Sequence, residues 1–219
     1  MILVNFKIYK ETFGDGAIKL VEIIKEVANK YKIRIVLTAS ALDAVRIKER
    51  TGAEVWLQNV DEYSEGKHTG WVSMEQAVKL GIKGSLINHS EHQLPRGTVQ
   101  KIIKNKPEGF ELMACVKSIG QIERWMAKTK PDWILYEPPE LIASKDKSVA
   151  TEKSEAIKNA IEKAGGIPIM VGAGVKNKQD VEVSLKMGAK GVGVSSAVVL
   201  ANNPKEVLEE IAKGFNVII

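Results

Sequence analysis

Pro168-Ile169-Met170-Val171-Gly172-Ala173-Gly174 crosses three consecutive apolar residues and ends at paired glycines. A short apolar run with no polar alternation suits a strand buried on both faces, as in a parallel sheet, and the glycines permit a tight turn at its end. Outward from this stretch, similar runs such as Ile35-Val36-Leu37 alternate with longer segments whose apolar residues recur every three or four positions. Strands are read at 2–6, 33–38, 54–58, 84–88, 110–115, 132–136, 168–172 and 190–194. Helices must lie between them to cover both faces.

The helices have local signals of their own. Ser73-x-x-Gln76 is a capping-box pattern, and Asn203-Pro204 sets a capping side chain before a proline at the first helical position. Gly52, Gly81 and Gly188 close helices ahead of strands, where a left-handed residue is cheapest without a Cβ. Lys79-Leu80-Gly81-Ile82-Lys83-Gly84 and Lys186-Met187-Gly188-Ala189-Lys190-Gly191 resemble one another and precede the fourth and eighth strands, a hint of fourfold-plus-fourfold organisation.

The 219 residues, 44% apolar and 27% charged, are enough for one core and too apolar for disorder. Residues 1–219 are therefore read as a single domain. Its 32 basic and 27 acidic residues leave a net charge of +5, which suits an anionic substrate but forms no dense basic block of the kind that binds nucleic acid. The single cysteine, Cys115, excludes an internal disulfide framework and fits a reducing cytoplasm. The start Met1-Ile2-Leu3-Val4-Asn5 shows no basic segment ahead of a long apolar stretch, and no run reaches the ~18 apolar residues of a membrane span.

Eight strands and eight helices in this length point to an α/β architecture, a (β/α)₈ barrel, because closure removes the edges that an open sheet would expose. The rival, an open doubly wound sheet, normally carries G-x-G-x-x-G, and neither Gly172-Ala173-Gly174 nor Gly191-Val192-Gly193 continues to the last glycine. In a barrel, reactive groups stand at the C-terminal ends of strands, and phosphate is commonly held after strands seven and eight. Gly172, Ala173 and Gly174 follow strand seven, and Ser195 and Ser196 follow strand eight, so backbone N–H groups there can approach an anion. Asn5 and Lys7 follow strand one, His89 strand four and Glu137 strand six. A base, an imidazole and an ammonium around a phosphate pocket are the parts needed to remove a proton beside a carbonyl and stabilise the oxyanion.

In these residues the sequence resembles the triosephosphate isomerase family, most closely its short archaeal type. The motifs are Asn5-Phe6-Lys7, Gln58-Asn59-Val60 with His68-Thr69-Gly70, Asn88-His89-Ser90-Glu91, Tyr136-Glu137-Pro138-Pro139-Glu140-Leu141-Ile142, Val171-Gly172-Ala173-Gly174-Val175 and Gly193-Val194-Ser195-Ser196, in the family's order along nearly the whole chain. The resemblance implies interconversion of dihydroxyacetone phosphate and D-glyceraldehyde 3-phosphate in glycolysis and gluconeogenesis, with no cofactor and no metal. It implies that Glu137 is the base, that His89 is a neutral electrophile beside a helix opened by Ser90-Glu91, that Lys7 supplies positive charge and that Asn5 orients the substrate oxygens. Glu91 is expected to support Lys7 or to open that helix. The phosphate is expected against Ile142, Gly172, Ala173, Gly174, Ser195 and Ser196.

A lid hinged at Pro138 is also implied, and the sequence departs from the family at its tip, where Ala143-Ser144-Lys145 replaces the expected Gly-Thr-Gly. Cβ atoms at two usual glycine positions resist left-handed angles, so closure with altered kinetics is expected. Cys115 matches a family cysteine packed near the base and is read as buried and inert. Thr69 resembles a residue by which one subunit braces the next, which implies a homodimer or homotetramer, with no nucleic-acid or membrane partner. A related epimerase would be expected to show paired His and Asp metal ligands at strand ends, and none are found. A silent scaffold would have little reason to keep Lys7, His89 and Glu137 together.

Overall fold

The computed structural model describes residues 1–126, 129–138 and 154–218. Its eight strands are β1 (Ile2–Asn5), β2 (Ile35–Ala39), β3 (Val55–Leu57), β4 (Gly84–Ile87), β5 (Glu111–Val116), β6 (Trp133–Tyr136), β7 (Ile169–Val171) and β8 (Gly191–Val194). Every neighbouring pair is parallel, and β8 returns to β1 with Ile2 opposite Val192 and Val4 opposite Val194. The (β/α)₈ barrel expected from the apolar runs is the architecture observed, with every strand where its run lies.

Alternate residues of each strand face opposite ways. Leu3, Val36, Trp56, Leu86, Met113, Leu135 and Met170 form the cluster inside the barrel, while Ile2, Val4, Ile35 and Leu37 belong to the larger core between barrel and helices. Trp56 is fully buried, and the space it fills is matched by glycine opposite: a Cβ on Gly84 would lie 2.6 Å from its indole. The N-terminal floor is polar. There Arg34 pairs with both Glu54 and Glu111, and Trp133 Nε1 donates to Glu111 Oε2 at 2.7 Å. The charged groups of this floor are thus paired with one another.

The expected helix signals act at their positions. Ser73 Oγ accepts from Gln76 N–H at the start of Met74–Lys79, and Asn203 Oδ1 accepts from Glu206 N–H with Pro204 at the first helical position. Gly52 takes a left-handed φ of 66° as the cap of Ala41–Thr51. The two similar hexapeptides make one junction twice. Ile82 N–H reaches Ala77 O at 3.0 Å and Ala189 N–H reaches Ser184 O at 3.1 Å, and each chain then enters β4 or β8 at a glycine. Between β5 and β6 the described helix is short, Ile119–Gln121 passing into a wide turn over Ile122–Met126. After β8 an extra short helix, Ser196–Val199, precedes Pro204–Lys213. No helix among the described residues is long and apolar enough to cross a membrane.

Candidate active site

The first wall of the mouth is a hydrogen-bonded knot at the ends of β1, β2 and β3. Asn5, Thr38 and Gln58 share the inward parity of Leu3, Val36 and Trp56, two residues further along each strand. Asn5 Oδ1 accepts from Lys7 N–H (3.0 Å) and Thr38 Oγ1 (3.2 Å), and Gln58 Nε2 donates to the Lys7 carbonyl (2.9 Å). This knot holds Lys7 in a left-handed conformation, φ 49°, that a long side chain rarely adopts. With its carbonyl engaged, the part of Asn5 that can turn to a ligand is its NH₂ group. Lys7 Nζ meets Glu91 Oε1 at 2.5 Å, so Glu91 supports Lys7.

Glu91 is not, however, the first turn of a helix. The helix expected to open at Ser90-Glu91 starts at Arg96, directly after Pro95, and residues 89–92 form one turn closed by His92 N–H to the His89 carbonyl at 2.8 Å. A proline steers the residue before it away from helical angles, which delays the helix. His89 is 8% exposed, and its Nδ1 accepts from Glu91 N–H at 3.2 Å, so the proton of a neutral ring sits on Nε2. Burial lowers its pKa, with Lys7 acting the same way against an opposing Glu91. The neutral imidazole therefore has a cause other than the helix dipole read from the sequence.

Glu137, just beyond β6, faces His89. Its Oε2 lies 3.6 Å from His89 Nε2, beyond hydrogen-bond range, and has no bonding partner among the described residues. Burial pushes the Glu137 carboxyl up to about 7, while Lys7 draws it down and Glu91 adds to the rise. The site needs Gly172 for simple space: a Cβ there would lie 2.6 Å from Glu137 Oε1. Cys115 is 2% exposed, and burial followed by the nearby Glu137 raises its thiol pKa well above the ordinary value. A thiol held protonated in this way is a poor nucleophile.

A cavity of about 460 Å³ joins these groups to the opposite wall, where Gly172, Gly174, Ser195 and Ser196 stand. Gly174 has φ 71°, and the Ser196–Val199 helix begins its internal bonds only with Val198 N–H to the Ser195 carbonyl. The N–H groups of Ser196 and Ala197 thus precede the ladder, next to a buried Ser195 hydroxyl with no bonding partner among the described residues. That is a suitable cradle for an anion. Ala173 is 1% exposed and packs into the core between barrel and helices, behind the wall. Pro138 is buried directly after Glu137; Ile142 and the tip Ala143-Ser144-Lys145 lie outside the described residues. Thr69 is exposed in the segment between β3 and the next helix.

The structure brings Lys7, His89 and Glu137 to one cavity with Asn5 and both small-residue turns. Tyr9 and Lys176 also line it, two residues after the Asn5-Phe6-Lys7 motif and one residue after the Val171–Val175 motif, and neither carries a sequence signal of its own. Thr38 was likewise passed over, although a polar residue at the inward parity of a strand end is a usable signal. A buried base near neutrality, a neutral imidazole and an ammonium beside an anion cradle can enolise a phosphorylated carbonyl compound.

The sequence model described as triosephosphate isomerase matches residues 1–214. Similar curated proteins bear the same name. One from Thermoplasma volcanium is 37% identical over 97% of this chain and 99% of its own length. Another from Saccharolobus solfataricus is 36% identical, covering 96% and 93%, and one from Methanothermus fervidus is 32% identical, covering 96% of each.

Proposed function

The chain belongs to the triosephosphate isomerase family, and we infer from that premise how its residues interconvert dihydroxyacetone phosphate and D-glyceraldehyde 3-phosphate. The Glu137 carboxylate removes a proton from C1 or C2 and returns it to the other carbon. His89 donates its Nε2 proton as a hydrogen bond to the carbonyl oxygen as charge builds there. Lys7 and the NH₂ of Asn5 hold the substrate oxygens, and the N–H groups around Gly174 and Ser196 take the phosphate. Pro138, buried directly after the base, is the hinge position; the residues that follow it lie outside those described.

The observation that supports these roles above all is the 3.6 Å approach of two buried groups whose pKa values burial displaces in opposite directions, the imidazole downward so that its neutral form prevails and the carboxyl up to about 7. A coupled assay on glyceraldehyde 3-phosphate tests it. His89→Gln is expected to lower kcat about a hundredfold with KM changed only a few fold, because the lost interaction strengthens in the transition state. Normal kcat in that variant would remove His89 from the mechanism.

The protein further acts as a homo-oligomer, dimer or tetramer, in which Thr69 of one subunit braces Asn5 and Lys7 of the next. Supporting this, a second cavity of about 530 Å³ opens beside Lys7, and Ile8 and Trp71 at its rim are 75% and 52% exposed. Exposed large apolar side chains around a cavity mark a contact surface. Sedimentation should give a mass of at least two chains, and Trp71→Glu should shift it toward one chain with loss of activity on dilution; a fully active single chain would refute the assembly. The cytoplasm is the compartment proposed, consistent with one buried thiol and no disulfide.

A further inference from the structure

Asn88 occupies the position between β4 and His89. It is 4% exposed and holds a left-handed φ of 59°, an angle that asparagine tolerates better than most residues. Its side chain is tied at both ends. Nδ2 donates to the Cys115 carbonyl at 2.9 Å, and Oδ1 accepts from Leu94 N–H at 3.0 Å. The register shows what the first bond replaces. Ile87 pairs with Ala114, so Asn88 stands level with Cys115, and in a parallel ladder the Cys115 carbonyl would next take the N–H of residue 89. The left-handed turn at Asn88 carries that N–H away, and the asparagine amide takes its place.

The next carbonyl of β5 serves the other neighbour. Glu137 N–H donates to Val116 O at 2.9 Å, on the β6 side. Two successive peptide carbonyls of one strand end therefore hold the backbone that carries the imidazole and the backbone that carries the carboxylate. We propose that Asn88 is a positioning residue for the isomerisation: its bond to the Cys115 carbonyl fixes the His89 turn on β5 and so sets the spacing between His89 Nε2 and Glu137. The proposal rests on the reading of His89 as electrophile and adds a residue that does not touch the substrate. The bond to Leu94 N–H closes the 88–94 loop and stops the turn from rotating about the first bond.

Asn88→Gly in the full chain keeps the left-handed angle available and deletes both side-chain bonds. Its kcat should fall about ten- to a hundredfold, the scale of a misplacement near 1 Å, with KM changed less than about threefold. Affinity for 2-phosphoglycolate, whose carboxylate mimics the enediolate, should fall with kcat, while competition by inorganic phosphate should hold. Asn88→Asp tolerates the same backbone and keeps the acceptor for Leu94 but not the donor for Cys115, so it should lose at least as much. A kcat within twofold of the parent in either folded variant, or a parallel loss of phosphate affinity, would overturn the role. If His89→Gln itself kept full kcat, the electrophile assignment would fall first; if His89→Gln lost activity and Asn88→Gly did not, only the positioning role would fall.

Discussion

Glu137→Asp is expected to bind triose phosphates within a few fold of the parent and to turn them over roughly 10² to 10³ times more slowly, since a carboxylate drawn back by one methylene no longer reaches the carbon proton in line. The surroundings give it no way to compensate. Its backbone N–H is bound to Val116 O, and the wall behind its carboxylate is the Cα of Gly172. The same geometry sets a pH dependence. Burial holds the carboxyl at about 7, and only the ionised form is a base, so kcat/KM should fall as pH drops through about 7. The profile is read after allowing for the substrate phosphate, which titrates near 6. Undiminished kcat in Glu137→Asp would remove the base, and an acid limb at the ordinary carboxylate value would show that burial does not govern it.

Much of this arrangement was legible in the residues. The barrel was readable because strands buried on both faces leave uninterrupted apolar runs, and Ile169-Met170-Val171 is the plainest of them. Glu137, His89 and Lys7 could be placed at one mouth because each stands just after such a run. What failed was local and had a physical cause: Ser90-Glu91 has the composition of a helix start, but Pro95 five residues after Ser90 moves the start to Arg96. The role of Asn88 was hidden for another reason. Its partners, Cys115 and Leu94, lie 27 and 6 residues away, and only the strand register shows that its amide stands in for a backbone donor. The neutral state of His89 was implied by the family resemblance, but its cause was out of reach, because the burial that lowers the pKa is a property of the assembled fold.

Lys7→Ala is expected to damage both binding and turnover, lowering kcat/KM by about 10³ or more, because a charge aimed at the developing oxyanion acts on substrate and transition state alike. The loss goes beyond the missing ammonium. Glu91 would lose its 2.5 Å partner while remaining 3.7 Å from His89 Nδ1. Lys7 lowers, and Glu91 raises, the pKa of both His89 and Glu137. Deleting Lys7 therefore moves both values upward, favouring imidazolium where a neutral ring is needed and a protonated acid where a base is needed. The acid limb of kcat/KM should accordingly shift above 7. Adding Glu91→Gln to Lys7→Ala separates the two effects: the double variant should bring the limb back toward 7 while leaving the rate at the top of the profile depressed. Full recovery of that rate would mean that Lys7 serves only to neutralise Glu91, and normal kinetics in Lys7→Ala would remove it from the site altogether.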